Sequence, residues 1–238
     1  MPTPNNRGVA WALTVLGLVL PTLVTYVYFT ALADASPSAQ GAAFSIGKAA
    51  QFGLPILAVL WIGRWIHIEA RRTGQSLLWG LISGIAIATS IYVAYRWLLL
   101  PLGVIDSIIP EVRAKLRETG IESVALFAIV GCGYAAVHSG LEEYYWRWFV
   151  YGNLRGLVGI SAALAISSLG FMAHHVLVLA RYFGWDSPWT YVASACVAFG
   201  GLVWAYLYER TGSLMGNWLS HACVDAAIFA VGYELAFA

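Results

Sequence analysis

Hydropathy constrains this chain before anything else does, because apolar runs long enough to cross a bilayer fill most of its 238 residues. They cover 8–33, 50–68, 77–102, 121–137, 158–183, 189–208 and 214–237. A bilayer core takes roughly 20 apolar residues wound as an α-helix, and a helix is favoured there because it satisfies every backbone polar group internally. Charged residues make up 11% of the chain and apolar ones 60%, against about 25% charged in an ordinary soluble domain. Soluble, disordered and fibrous classes are therefore excluded. The formal charge of +1 offers no basic stripe for nucleic acid. The expectation is an all-α membrane protein of about seven transmembrane helices, with roughly six to eight compatible with the length.

The first run far exceeds the roughly 7–15 apolar residues of a signal peptide. It reads as a retained span kinked at Pro21, although Ala31-Leu32-Ala33 resembles a cleavage site. Between residues 103 and 120 the composition changes. Asp106, Glu111, Arg113, Lys115, Arg117 and Glu118 gather around Pro110, as in a short amphipathic helix on the membrane surface. Residues 1–120 thus hold the N-terminal spans and the amphipathic segment, and residues 121–238 hold a second, polar-bearing half. Cys132, Cys196 and Cys223 lie in apolar runs, odd in number and without C-x-x-C spacing, so they read as buried apolar residues. With a cytoplasmic N-terminus, Arg7, Arg64, Arg71, Arg72, Arg147, Arg155 and Arg210 fall inside. Lys48, Arg113, Lys115, Arg117 and Arg181 then fall outside, with Arg96 in a span. This distribution leans towards the positive-inside pattern and a cytoplasmic Glu142 region.

Ionisable groups at membrane depth are costly, and by default they mark function or pair with one another. Three groups spaced four residues apart occur in the second half, and that spacing places two side chains on one helix face. The first is Glu142, Glu143 and Arg147. Glu143 and Arg147 share a face, while Glu142 is rotated by about 100° from Glu143 and is well placed as a general base. Tyr144, Tyr145, Trp146 and Trp148 beside them read as an interfacial aromatic belt. The second is Phe171 with His174 and His175, of which one imidazole at most serves a given site. The third is His221 and Asp225, an arrangement that orients an imidazole, holds a metal or neutralises itself. Together they supply carboxylates and imidazoles suited to activating water. Glu142 removes a proton, His175 and His221 position the water or polarise a carbonyl, and Asp225 fixes His221. Peptide or amide hydrolysis is the natural class. Glu142, His175, His221 and Asp225 also form a candidate set for a divalent metal such as zinc, though H-E-x-x-H is absent.

The order E-E-x-x-x-R, F-x-x-x-H, H-x-x-x-N/D resembles the CPBP family of intramembrane proteases, which includes the type II CAAX prenyl endopeptidases (Rce1-like) and bacterial self-immunity proteins. The matching residues are Glu142, Glu143 and Arg147; Phe171 and His175; His221 and Asp225. The likeness runs from Ile121 onward. It implies a helical membrane protein with a catalytic cavity open to the cytosol and a membrane-associated protein or peptide as substrate. By analogy Glu142 activates water with His175, and His221 and Asp225 support the oxyanion or complete a metal site. The family position of Asp225 is often Asn. An ionised Asp cannot donate to an oxyanion, so Asp225 favours orienting His221 or binding metal. The compact loops favour a bacterial inner membrane.

Other readings account for fewer residues. His138, four residues before Glu142, can share its face. His174 can replace His175. Gly159-Ile160-Ser161-Ala162 has the G-x-S-x of rhomboid serine proteases, but that reading leaves Glu142 without a role. A haem between His174 and His221 leaves it idle too. A non-catalytic scaffold or bacteriocin-immunity-type binder has no need for Glu142, His175 and His221 together. A transporter would need mirrored halves, which this chain lacks.

Overall fold

The structure is a computed structural model that describes residues 7–62 and 72–237. Among the described residues it is helical throughout, without strands. Seven helical segments there are long and apolar enough to cross a membrane: Arg7–Ala31, Pro37–Leu60, Thr73–Leu99, Val124–Val158, Ile160–Phe183, Pro188–Thr211 and Leu214–Phe237. The chain is therefore an integral, multi-pass membrane protein. Large apolar side chains face outward, as with Trp97 at 81% exposure, Leu60 at 75% and Ile129 at 70%. Such a surface is stable only when lipid covers it. The end of the 50–68 run, with Arg64 and Arg71, lies outside the described residues.

We number the helices α1 (Arg7–Tyr26), α2 (Pro37–Ile62), α3 (Thr73–Ala94), α4 (Ile108–Glu118), α5 (Val124–Glu143), α6 (Gly152–Val158), α7 (Ile160–Phe183), α8 (Pro188–Thr211) and α9 (Leu214–Phe237). Wider π-helical turns extend three of them, at Val27–Ala31, Tyr95–Leu99 and Tyr144–Tyr151. α4 is the expected amphipathic helix. It buries Ile108 and exposes Arg113, Lys115 and Arg117, and Arg113 Nε donates to the carbonyl of Leu235 at 3.0 Å. The α6–α7 joint falls at Gly159, whose φ of 85° suits a residue without a Cβ. That joint accounts for the glycine of the G-x-S-x stretch, and Ser161 sits exposed in the first turn of α7.

The chain forms two compact units, each assembled from separate stretches. One comprises Met1–Glu69 with Tyr144–Glu209, the other Ala70–Glu143 with Arg210–Ala238. The boundary at residues 143 and 144 coincides with the change from α to π winding.

In the first unit the π segment is core. Tyr145, Trp146, Phe149, Val150 and Tyr151 are at most 1% exposed. This corrects the expected interfacial belt for Tyr145 and Trp146, while Tyr144 and Trp148 stack on each other, half-buried. Aromatic rings mark an interface only where nothing covers them, and here neighbouring helices do. A Cβ on Gly17 of α1 would stand 3.0 Å from Phe149, and one on Gly170 of α7 would stand 3.1 Å from Trp146. Tyr145 donates its hydroxyl to the Gly17 carbonyl at 2.8 Å, giving the buried oxygen the partner it needs.

In the second unit α9 packs against both α3 and α5. Small residues allow the approach to α3: a Cβ on Gly80 would lie 2.2 Å from the Gly216 carbonyl oxygen. Backbones come this close where small residues line the contact. Ser76 Oγ accepts from Gly216 N at 3.1 Å and donates to the Ser213 carbonyl at 3.2 Å. Ser83 and Ser220 share a further bond of 3.0 Å. On the α5 side Trp218 donates its indole N–H to the Ala136 carbonyl at 2.7 Å, and Phe229 fills the notch left by Gly131.

Candidate active site

The packing of α9 on α5 collects the polar residues of the second unit at one place. Helical spacing puts His138 one turn before Glu142 on α5, and His221 one turn before Asp225 on α9. Glu142, Glu143, His221 and Asp225 are all buried, at 1%, 0%, 4% and 7% exposure. The shortest contact joins residues 78 positions apart, with His221 Nδ1 2.8 Å from Glu143 Oε1. A carboxylate accepts, so the Nδ1–H donates and this bond fixes the tautomer. Nε2 is then the basic nitrogen of a neutral ring. It lies 3.6 Å from Asp225 Oδ1 and 3.9 Å from Glu142 Oε2.

Asp225 was expected to hold His221, but the tighter hold comes from Glu143. Glu143 is thus engaged by an imidazole on another helix. Local spacing reveals which residues share a face of one helix, not what a second helix brings against that face. Glu142 also has a partner in its own helix, His138 Nε2 at 3.4 Å from Oε1. His138 reaches on to Asp225, Nδ1 to Oδ2 at 3.4 Å, and stacks on Tyr134 with ring centroids 4.3 Å apart. The family motif does not include His138. Its four-residue spacing from Glu142 was the one signal in the sequence, and its contact with Asp225 had none. His138, His221 and Asp225 each offer one ligand atom within 4.8 Å of one another. With two imidazoles and a carboxylate, this donor chemistry fits zinc.

The remaining motif residues lie in the first unit. Arg147 is 2% exposed. Its guanidinium lies over Phe171 and Trp204, 4.8 and 5.2 Å from the ring centroids, and donates to the Gly201 carbonyl at 3.3 Å. A delocalised planar cation is suited to such stacking. His174 and His175 have different settings. His174 is buried and stacked on Trp146, with an interplanar angle of 7°. His175 is half-buried, and its Nδ1 lies 2.9 Å from the Phe171 carbonyl. That bond makes Nδ1 the donor and Nε2 the basic nitrogen. The acceptor is a backbone carbonyl that any residue one turn earlier would offer, and the Phe171 ring itself lies 4.7 Å from the His175 ring, centroid to centroid.

Residues 121–227 match the family model described as type II CAAX prenyl endopeptidase, Rce1-like. No curated protein and no solved structure matches the chain. The matched segment contains Glu142, Glu143, Arg147, Phe171, His175, His221 and Asp225. Over this segment the chain is similar to the Rce1-like family, a family of proteases.

Proposed function

We propose that this protein is an intramembrane endopeptidase that hydrolyses a peptide bond of a membrane-associated protein or peptide, in the manner of CAAX proteases. The observation that carries the reading is the group of Glu142, Glu143, His221 and Asp225, drawn from two helices and buried within membrane spans. Burying three carboxylates without a task is expensive.

In this reading Glu142 is the general base that takes a proton from the attacking water and returns it to the leaving amine. His221, its tautomer set by Glu143, presents Nε2 towards the same point. Asp225 adds a second carboxylate beside that nitrogen. His175 enters from the family motif as a further imidazole of fixed tautomer, acting on the water or the carbonyl. Arg147 anchors the π segment through Phe171 and Trp204. A divalent cation held by the imidazoles and Asp225 would supply Lewis-acid polarisation of the scissile carbonyl. The setting in this proposal is a bacterial inner membrane with the site on the cytoplasmic side.

The test is comparative proteomics of membranes from cells carrying the native protein or Glu142→Gln. Removing a general base costs about 10²–10⁴-fold in rate, so peptides cleaved by the native protein should disappear in the variant. Equal cleavage by both would refute hydrolysis by Glu142 and leave a binding role for the fold.

A further inference from the structure

Gln51 of α2 is fully buried, at 0% exposure, and lies well inside the span Pro37–Leu60. Neither its amide oxygen nor its amide nitrogen has a hydrogen-bond partner among the described residues. A primary amide offers two N–H donors and two acceptor lone pairs, and leaving such a group unbonded in an apolar interior is costly. The proposed hydrolysis gives it no task.

The backbone around it is short of bonds as well. Tyr28 of the first span meets Phe44 of α2, with ring centroids 4.9 Å apart, and a Cβ on Gly47 would stand 2.8 Å from Val24 Cγ1. The two helices therefore run antiparallel, and on that register Gln51 comes level with Pro21. Each helix carries a proline near this level, Pro21 in α1 and Pro55 in α2. A proline lacks the N–H that would bond the carbonyl four residues earlier, which is Gly17 in α1 and Gln51 itself in α2. Within a bilayer such freed carbonyls are satisfied by neighbouring side chains or by ordered water. The Tyr145 hydroxyl serves the Gly17 carbonyl at 2.8 Å. The buried hydroxyls of Thr14 and Thr25 on α1 are committed to the Ala10 and Pro21 carbonyls of their own helix. Gln51 thus combines an unbonded amide with a carbonyl deprived of its usual donor.

Water is the ligand that fits this chemistry. A buried water makes about three hydrogen bonds to groups that otherwise lack partners, and it donates and accepts alike, as the amide does. Complete burial excludes a larger ligand. Lys48 lies one turn earlier on the same helix face, its ammonium 5.6 and 5.4 Å from the ring centroids of Phe44 and Phe52, and that charge disfavours a metal cation.

We propose that Gln51 binds an ordered water molecule within the membrane-spanning core of the first unit, with its amide as donor and acceptor and its carbonyl as a further acceptor. The site stands apart from the endopeptidase reading, because it is measured without any substrate.

The experiment is a crystal structure of the purified protein in a lipidic mesophase, at a resolution that shows ordered water, beside thermal unfolding of the native protein and Gln51→Met. Density for a water within about 2.7–3.2 Å of the Gln51 amide is expected in the native protein. It should be absent from Gln51→Met, whose side chain has a similar length and no amide. Methionine leaves the water without its main partner and should lower the unfolding midpoint by roughly 4–8 °C. A dry amide predicts the reverse, because methionine then removes an unbonded polar group and the midpoint rises. A native structure without water beside the amide would overturn the proposal, as would a raised midpoint in Gln51→Met. Should Gln51→Met fail to fold, the native structure decides by itself.

Discussion

Replacing Gly216 by alanine sets a methyl carbon where the backbone of α3 already stands. The new Cβ would lie 1.9 Å from the Ser76 carbonyl oxygen, 2.4 Å from its carbon and 2.5 Å from Ser76 Oγ. Carbon and oxygen rarely approach closer than about 3.3 Å, so α3 and α9 must separate locally by roughly 1.4 Å. Three bonds at this contact cannot survive that movement: Gly216 N to Ser76 Oγ at 3.1 Å, Ser76 Oγ to the Ser213 carbonyl at 3.2 Å, and Ser83 to Ser220 at 3.0 Å. At about 1 kcal/mol each, with some loss of interhelical packing, the substitution should cost about 3–5 kcal/mol. Each kcal/mol lowers the midpoint of a chain this size by about 2–4 °C, so thermal unfolding in detergent should start roughly 10 °C lower. Tryptophan fluorescence or circular dichroism would follow it. Gly133 on α5 is the control, because nothing lies within 4 Å of a Cβ built there. Gly133→Ala should leave the midpoint unchanged or raise it slightly, through better helix propensity. If both variants shift alike, close approach of α3 and α9 does not set the stability of this unit, and the reasoning fails.

Further outcomes follow from the same geometry. Arg147→Lys keeps the charge but loses the planar stacking on Phe171 and Trp204. It should cost about 2 kcal/mol, seen as a midpoint lowered by about 4–8 °C; an unchanged midpoint would mean that charge alone matters there. Tyr145→Phe removes only the donor to the Gly17 carbonyl and should cost about 1 kcal/mol, readable as a small midpoint shift in the same assay. Phe171→Ala should destabilise more than either, by about 3–5 kcal/mol, because that ring is 2% exposed and carries Arg147.

Much of the site was legible because its parts repeat at one helical turn. Glu142 with His138, and His221 with Asp225, are pairs that any α-helix would align. Their contacts, 3.4 and 3.6 Å, follow from that spacing. The aromatic segment misled for a matching reason: Tyr145 and Trp146 have the composition of an interfacial belt, yet are fully buried. Residue type records what a side chain tolerates, and burial depends on what packs over it. The π winding of Tyr144–Tyr151 likewise had no reading in the spacing.

What the sequence determined by itself was the solvent and the inventory. Runs of apolar residues place seven helices in a bilayer, and the few ionisable groups at membrane depth mark the residues with chemistry to do. Both conclusions rest on sums over neighbouring residues, which a sequence displays directly. Only the tertiary structure decided the pairings: Glu143 with His221 across 78 positions, and His138 with Asp225 across 87. Those pairings depend on how deeply α9 settles between its neighbours, which Gly80 and Gly216 permit on one side and Gly131 on the other. A glycine in a sequence shows that a close approach is allowed, and only the fold shows which backbone makes it.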